Sequence, residues 1–412
     1  MKAPHIVTGI DIGSNTVRVI IAQQDPASDT IKILGVGTAP MRGMQKGVIT
    51  DVEEGVAALG SALDIAERIS GIPVEKAYVS INGSHLTSQN LRGVIAVSRA
   101  DGEITPDDVD RVINAAQAVS IPPNREILHV LPQNYIVDGQ EHIQDPVGMT
   151  GVRLEVEAHV IEGSVPFIKN LTKVINQSGV HIEDFVFSPL AASLAVLDKR
   201  QKELGVVLVD IGAGTTSMVV YEENVLLHTG VLPVGASHIT NDIAIGLRTS
   251  IDIAEAIKVS HGTAIPSDVP QNEMISIEGE EGEQESISRR EVANIISARL
   301  EELFSFVDRE LKNIGRSGLL PAGVIVTGGG AHMDGLIELA KKRLRLPVRI
   351  GVPALLSGIS DQTQEPEFAV AIGLVQFAVE QESRPGAKNP LKLPDVGRAF
   401  SKLRSWSKNF LP

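Results

Sequence analysis

The sequence predicts an α/β protein in which one structural unit occurs twice, so that two lobes face each other across a cleft. Two similar segments carry this prediction. Ile6–Ala22 and Gly205–Tyr221 each contain an apolar run, an Asp-Ile-Gly turn and a second apolar run. β-Branched stretches bounded by glycine and polar residues are typical of β-hairpins. The separation of the two segments is too long for a solenoid and fits two homologous domains.

The remaining periodicities predict helices and strands between and after these hairpins. The predicted helices cover residues 53–70, 107–119, 165–178, 190–198, 239–245, 251–261, 289–313, 333–344 and 366–382. The predicted strands cover residues 76–81, 92–98, 126–137, 152–161 and 323–327. Thr105 followed by Pro106 is a capping pair for the second helix. Residues 84–162 are predicted to form a small inserted α+β unit, and the acidic stretch 278–285 a hairpin tip.

Composition excludes several classes of protein. The 412 residues are 43% hydrophobic and 21% charged, which is ordinary for a globular protein and excludes global disorder. With no cysteine, disulfide scaffolds and thiolate metal sites are excluded. A net charge of -14 argues against nucleic-acid binding, which needs a basic face. The start of the chain lacks the pattern of a signal peptide, so the cytoplasm is the expected compartment.

The two Asp-Ile-Gly hairpins are the strongest candidates for chemistry. Glycine lets backbone N–H groups approach a phosphate chain, and hydroxyl or amide side chains can donate to phosphate oxygens. Asp11 and Asp210 precede the turns, where their carboxylates can hold a hydrated Mg²⁺. The predicted phosphate-binding residues are Gly13, Ser14, Asn15, Gly212, Gly214, Thr215 and Thr216, with Asp210 beside them.

Two further elements favour a nucleoside site. A strand runs through Gly328, Gly329 and Gly330 into a predicted helix, so a ligand can approach the backbone closely at a helix N-terminus. Glu255 and Lys258 lie three residues apart on one helix face. They can contact a ribose, or they can form an ordinary surface ion pair.

Together these elements resemble the five signatures of the actin and heat-shock chaperone ATPase superfamily, and within it the FtsA family of bacterial cell-division proteins. The resemblance covers essentially the whole chain, with distinctive stretches at Gly9–Val19, Gly235–Gly246 and Ala254–Gly262. It implies an actin-like duplicated ATPase fold, MgATP in the cleft with Gly235 among the site residues, and two bridging helices at 189–197 and 368–377. Small residues at Ala191, Ala192, Ala371 and Gly373 permit those helices to cross closely.

The family resemblance also implies a division into subdomains. The expected ranges are 1–83 with 366–382 for subdomain 1A, 84–162 for 1C, 163–232 with 322–365 for 2A, and 233–321 for 2B, followed by a linker at 383–394 and an amphipathic helix at 395–412.

It further implies actin-like filaments, contacts with other division proteins, and tethering of FtsZ at the division site on the cytoplasmic face of the inner membrane. For the C-terminal peptide of FtsZ, the expected contacts lie on the helix at 288–313. They are Arg289, Arg290 and Arg299. These arginines can equally be solvated helix charges.

Catalytic activity is expected to be weak. Relatives that hydrolyse ATP quickly carry Glu or Gln near the first bridging helix, whereas Phe187–Ala191 here contains no carboxylate or amide side chain. No catalytic residue is therefore assigned, and tight ATP binding with slow turnover is predicted. Two alternatives are an exopolyphosphatase of the same superfamily, because its first phosphate loop resembles Asp11–Asn15, and an actin-like pilus-assembly adaptor.

The C-terminal segment predicts a membrane anchor. Residues 383–412 carry seven basic side chains and one acidic one, a net +6 that leaves -20 for the rest of the chain. At 100° per residue, an apolar arc forms that contains the only tryptophan, opposite a cationic face. The arc includes Val396, Phe400, Leu403, Trp406 and Phe410, and the basic side chains are Arg398, Lys402, Arg404 and Lys408. This pattern indicates a helix lying in the plane of an anionic membrane, although a helix docked on protein has a similar apolar face.

Overall fold

The computed structural model describes residues 5–25, 30–118, 122–278, 284–354, 356–358 and 363–382. The predicted linker and amphipathic helix at 383–412 lie outside the described residues, as does the tip of the acidic hairpin. Within the described ranges no helix combines the length and the apolar character needed to cross a bilayer.

The strands and helices alternate along the chain. The strands are β1 His5–Ile12, β2 Thr16–Asp25, β3 Thr30–Pro40, β4 Met44–Gln45, β5 Val48–Ile49, β6 Lys76–Ile81, β7 Thr87–Ala96, β8 Arg125–Val137, β9 Gln140–Ile143, β10 Arg153–Ser164, β11 His181–Phe187, β12 Val206–Ile211, β13 Thr216–Glu222, β14 Val225–Leu232, β15 Met274–Glu278, β16 Gln284–Ser288, β17 Gly323–Thr327, β18 Val348–Ile350 and β19 Ser357–Gly358. The helices are α1 Val52–Ser70, α2 Pro106–Gln117, α3 Val165–Gln177, α4 Ser188–Val196, α5 Lys199–Leu204, α6 Ala236–Leu247, α7 Ile251–His261, α8 Arg289–Asn313, α9 Leu336–Leu344 and α10 Ala369–Glu382.

Two sheets with the same arrangement of strands confirm the predicted duplication. The first has the order β11-β6-β1-β2-β3-β19 and the second the order β14-β13-β12-β17-β18. In each, the two hairpin strands pair antiparallel with one another, and the second of them also pairs antiparallel with the third strand. The next two strands then add in parallel. Parallel pairs require crossover segments, so each sheet has helices between its strands.

The two bridging helices cross at the small residues that the sequence indicates. α4 and α10 are apolar around most of their circumference, which is typical of helices buried on all sides. A β-carbon built on Gly373 of α10 would lie 1.8 Å from the carbonyl oxygen of Ala191 in α4. Real side-chain atoms do not approach a backbone oxygen so closely. The crossing therefore requires glycine at this position.

Residues 88–165 form a compact unit that separates from the residues before and after it. Its sheet has the order β7-β10-β8-β9, and α2 packs on one face of it. That face supplies Leu154, Val156, Ala158 and Val160 to a separate apolar core. Thr105 caps α2 in a reciprocal capping box with Asp108, as the Thr-Pro pair predicts.

The second sheet and the segment that follows it share one apolar core. Val207, Val209 and Ile211 of β12 belong to the same buried cluster as Ile296, Phe304 and Val307 of α8. The predicted acidic hairpin is present as β15 paired antiparallel with β16. This continuous core holds α6 and α7 in place beside the second Asp-Ile-Gly turn.

The predicted helix after the three glycines begins later than expected. Gly329–His332 forms a 3-10 turn, and α9 starts only at Leu336. The N-cap residue of α9 is Gly335, whose backbone lies in the left-handed region with φ 74°. A β-carbon built on Gly335 would lie 2.6 Å from the Cγ1 atom of Ile265. The three glycines therefore bring backbone to the cleft without placing the N-terminus of an α-helix there.

Candidate functional site

A cavity of about 230 Å³ lies where the two sheets bring their Asp-Ile-Gly turns together. The ends of β1 and β12, the three-glycine turn, the start of α6 and one face of α7 line it. Among the predicted residues it is lined by Asp11, Gly13, Ser14, Asn15, Asp210, Gly212, Gly214, Thr215, Glu255, Lys258, Gly328, Gly329 and Gly330. The sequence-derived site is therefore assembled from segments more than 300 residues apart in the chain.

The two turns have the same hydrogen-bonding pattern. The backbone N–H of Gly13 donates to the Thr16 carbonyl at 3.1 Å, and that of Gly212 donates to the Thr215 carbonyl at 2.9 Å. Gly13 thus corresponds to Gly212, and Thr16 corresponds to Thr215. This correspondence adds Thr16, which the sequence prediction missed, to the residues that line the cavity.

Two predicted residues do not line the cavity. Thr216 is the first residue of β13 and is fully buried, because strand alternation turns it away from the side on which Thr215 lies. Gly235 lies beneath the second turn, where a β-carbon would be 2.5 Å from the carbonyl oxygen of Gly212. Its role is to let α6 approach, and Ala236 and Ser237 line the cavity in its place.

The two aspartates are buried at corresponding strand ends. Ser80 donates a hydrogen bond to Asp11 Oδ1 at 2.8 Å, and its own oxygen accepts the N–H of Ile12 at 3.0 Å. Burial raises the pKa of Asp11, with Arg18 and the Ser80 hydrogen bond opposing the rise. Burial, followed by the nearby charge of Asp11, raises the pKa of Asp210 to about 7. A hard divalent cation suits such a pair of oxygen ligands, because its charge would offset their repulsion.

The raised pKa of Asp210, caused by burial and by the charge of Asp11, predicts that the stability of the free protein depends on pH. A carboxyl group whose pKa is higher in the folded state than in the unfolded state loses stabilisation as pH rises between the two values. For Asp210 that window runs from its ordinary pKa of 3.8 to about 7. Asp210→Asn is expected to stabilise the protein at pH 8 by as much as about 4 kcal/mol, and much less at pH 4. Urea unfolding with a chelator and without nucleotide measures this difference.

Asp64→Asn is the matched control, because Asp64 is exposed on α1. Its effect should be small and similar at both pH values. An equal effect of Asp210→Asn at pH 4 and pH 8 would contradict the predicted role of burial and charge repulsion.

Glu255 and Lys258 pair with each other and also line the cavity. Lys258 Nζ lies 2.6 Å from Glu255 Oε2 and 2.9 Å from Thr240 Oγ1. Thr240 donates to the same carboxylate oxygen at 2.5 Å. Although burial opposes it, the hydrogen bonds from Lys258 and Thr240 hold the pKa of Glu255 below its usual range. The carboxylate is thus an ionised acceptor at the cavity wall, suited to a ribose hydroxyl.

Several cavity residues lacked a signal in the local sequence. Arg18 pairs with Asp11 across the first hairpin, and its guanidinium carbon lies 5.3 Å from the centre of the Phe368 ring. Arg18 is the exception, because its position opposite Asp11 follows from the hairpin register: each lies two residues outside the turn. Gly47, Asn82, Ser188 and Glu367 also line the cavity. They come from separate segments whose approach no periodicity encodes.

The predicted peptide-binding arginines are in part engaged within the chain. Arg299 forms two hydrogen bonds with Asp242, at 2.5 and 2.8 Å, and a further ion pair with Glu302. Arg289 pairs with Glu273 at 2.9 Å. Within the described residues Arg290 forms no ion pair. Two of the three arginines therefore stabilise this region through ion pairs within the chain. Contact of all three with a partner stays a prediction.

Family models and known proteins match this chain. A family model described as "Cell division protein FtsA" matches residues 207–373, and a second one, described as "SHS2 domain inserted in FTSA", matches residues 83–162. Cell division protein FtsA of Bacillus subtilis is 39% identical, covering 96% of this chain and 88% of the relative. The Pseudomonas aeruginosa protein is 37% identical and covers 93% of this chain and 91% of its own length. The Escherichia coli K12 protein is 34% identical and covers 97% of this chain and 97% of its own length.

Solved structures share the fold at lower identity. The PilM-PilN type IV pilus biogenesis complex gives a TM-score of 0.66 at 16% identity, covering 90% of this chain and 98% of that one. MreB 5 of Spiroplasma citri bound to AMPPNP gives a TM-score of 0.56 at 14% identity, and the match covers 92% of this chain and 97% of that one.

The duplicated sheets, the crossed bridging helices and the paired turns define an actin-like protein with a central cleft, as the sequence predicts. Given relatives that are 34 to 39% identical over nearly the full chain, the protein belongs to the FtsA family of cell division proteins. The family assignment from sequence is confirmed. This membership favours an actin-like role in cell division over the polyphosphatase and pilus-adaptor alternatives.

Proposed function

We propose that this FtsA-family protein binds MgATP in its cleft and connects FtsZ filaments to the cytoplasmic face of the inner membrane at the division site. The two turns hold the phosphate chain, and Asp11 and Asp210 hold Mg²⁺ through its water shell. Glu255 binds the ribose beside the three-glycine turn. Mg²⁺, when bound, neutralises the negative charge that accumulates between the two aspartates and the phosphates.

One observation carries the nucleotide proposal: two identical hydrogen-bonded turns, each preceded by a buried aspartate, face one cavity. Their backbone N–H groups and hydroxyls are donors suited to a chain of phosphate oxygens. The like charges of the aspartates destabilise the free site and favour a bound cation. Structural neighbours support this proposal, since MreB5 has been solved with AMPPNP and with ADP.

Thr215→Val tests the phosphate-binding role of the second turn. The change removes a hydroxyl that lines the cavity and keeps the shape of the side chain. Hydrogen bonds to charged groups contribute about 1.5–3 kcal/mol, so the dissociation constant for MgATP should rise at least about tenfold. Calorimetric titration of the purified protein measures the change.

Thr172→Val is the control, because the Thr172 hydroxyl donates to the Ile168 carbonyl within α3, away from the cleft. It should leave MgATP affinity unchanged. Wild-type protein that binds no MgATP, or Thr215→Val protein that binds it as tightly as wild type, would count against the proposed site.

We also propose that turnover is slow. Ser188 is the residue of the first bridging segment that lines the cavity, and a hydroxyl is a poor general base. Asn82 is near, but its amide nitrogen donates to Ser217 at 3.1 Å and its oxygen accepts the N–H of Gly83 at 2.9 Å. Because the first bridging segment supplies no carboxylate or amide to orient water, we expect a rate lower by about 10²–10⁴-fold than in fast relatives. Phosphate release over an hour measures it, and many turnovers per minute would refute the proposal.

The adaptor role combines four further proposals. The protein associates with itself into actin-like protofilaments, which the neighbour described as a MamK double helical filament supports. The C-terminal peptide of FtsZ docks near α8, where Arg290 is the candidate contact left without an ion pair among the described residues. The cationic, amphipathic segment 395–412 binds anionic lipids. Other division proteins join the assembly through surfaces that this geometry does not define.

A further inference from the structure

A short hairpin closes over both Asp-Ile-Gly turns. β4 and β5 pair antiparallel, with Met44 opposite Ile49, and Lys46 and Gly47 form the two-residue tip. Both tip residues have positive φ, 49° for Lys46 and 76° for Gly47. This is the backbone of a tight hairpin turn, which a lysine rarely adopts. We call residues 43–49 the Lys46 hairpin.

The tip contacts both turns at once. The backbone N–H of Gly47 donates to Ser14 Oγ of the first turn at 3.0 Å. A β-carbon on Gly214 of the second turn would lie 2.9 Å from the backbone nitrogen of Lys46 and 2.9 Å from Ser14 Oγ. The Lys46 hairpin therefore completes the end of the cleft where the tips of the two turns meet.

The rear of the hairpin is fixed in place. The N–H of Ser84 donates to the Lys46 carbonyl at 3.3 Å. A β-carbon on Gly47 would lie 2.4 Å from Gly83 Cα, so backbone packs directly against backbone. Because the tip is held from behind, the Lys46 side chain is presented at a defined place beside the turns.

The cation at this place has no anionic partner within the described residues. Lys258, by comparison, is paired with Glu255. Lys46 forms no ion pair with any described residue, and it is exposed. Burial lowers the pKa of His238, and the charge of Lys46 lowers it further, which shows that this charge lies near the start of α6. A free ammonium group beside two phosphate-binding turns is suited to an anion.

Its position along the cleft indicates which phosphate it meets. The three-glycine turn, proposed to face the nucleoside, packs against Asp210 and Ile211 at the end of β12. The Lys46 hairpin packs against Gly214, further into the same turn and away from the three-glycine turn. We propose that Lys46 is a specificity residue whose ammonium group binds the terminal phosphate, so that the protein favours ATP over ADP. This inference rests on the proposed nucleotide site.

Lys46→Asn tests it, because asparagine removes the charge and tolerates the left-handed backbone. Losing a charged hydrogen bond should weaken MgATP binding by about tenfold or more and MgADP binding by less than about twofold. Lys46→Arg, which keeps the charge, should retain most of the preference for ATP. Arg42→Asn is the matched control, because Arg42 is an exposed cation that lies just before the hairpin and outside its tip. Calorimetry with each nucleotide measures all four proteins.

The outcomes separate the two proposals. Wild-type protein that binds neither nucleotide defeats the proposed site and this inference together. If wild type binds both nucleotides, the inference alone is defeated by either of two results. Lys46→Asn binds ATP as tightly as wild type does, or it binds ATP and ADP more weakly by the same factor. A second measurement avoids any folding effect of the variant: ATP, but not ADP, should protect Lys46 of the wild-type chain from amine acylation, read by peptide mass spectrometry. Equal acylation with both nucleotides would also overturn it.

Discussion

Gly373→Val is expected to lower the free energy of unfolding by roughly 3 kcal/mol, because overpacking at a rigid contact forces the backbone apart. The reason is the helix crossing, where a β-carbon would lie 1.8 Å from the Ala191 carbonyl oxygen. Neither α4 nor α10 can yield easily, since Ala191, Ala371 and Leu374 are fully buried. Urea denaturation of the purified protein measures the loss as a shift in midpoint.

Gly60→Ala is the matched control for this prediction. Gly60 also lies within a helix, α1, but a β-carbon there would have no heavy atom within 4 Å. Alanine should therefore add helix propensity without a clash, and stabilise the protein by about 0.5–1 kcal/mol. If Gly373→Val unfolds at the same midpoint as wild type, the close crossing does not exist in solution.

Trp406→Glu is expected to abolish binding to anionic liposomes while leaving MgATP binding intact. Burying Phe400, Leu403, Trp406 and Phe410 contributes about 1.5–3 kcal/mol for each side chain as an upper bound. Attraction to anionic lipid adds about 1 kcal/mol for each basic side chain near the surface. Ordering the segment costs about 1 kcal/mol or more for each residue. These opposing contributions leave a weak anchor. A charge placed in the apolar arc should therefore be enough to abolish binding to the membrane.

Ser405→Glu is the control, because it adds the same charge on the opposite, polar face of the predicted helix. It should weaken binding only by the loss of about one cationic contact, roughly 1 kcal/mol. Co-sedimentation with liposomes measures both variants, and FtsZ added to the mixture reports the tether. FtsZ should sediment with wild-type protein and not with Trp406→Glu. Full sedimentation of Trp406→Glu would place the anchor elsewhere in the chain.

The proposed weak anchor would connect membrane binding to self-association. We expect one segment to bind reversibly and a row of segments on a filament to bind tightly through high effective concentration. Filament formation and membrane attachment should therefore strengthen each other.

Local sequence was sufficient for the paired turns and for most of the elements. Each turn is encoded by a few consecutive residues, because glycine and polar residues between β-branched runs specify a hairpin without help from distant segments. The apolar pattern predicts a start for α9 that is too early, because the left-handed Gly335 interrupts a pattern that otherwise continues. Thr216 does not line the cavity, because it is the first residue of β13 and alternation along that strand turns it away from the side on which Thr215 lies.

The sequence by itself therefore determined the duplicated hairpins, their aspartates, the small residues of the bridging helices and the charge of the C-terminal segment. Only the tertiary structure decided that Gly47, Asn82 and Glu367 join the cleft, and that Arg289 and Arg299 are held by Glu273 and Asp242. The physical reason is distance along the chain. Hairpins and helices follow from neighbouring residues, whereas contacts between separate segments depend on how buried surfaces pack, which no local pattern contains.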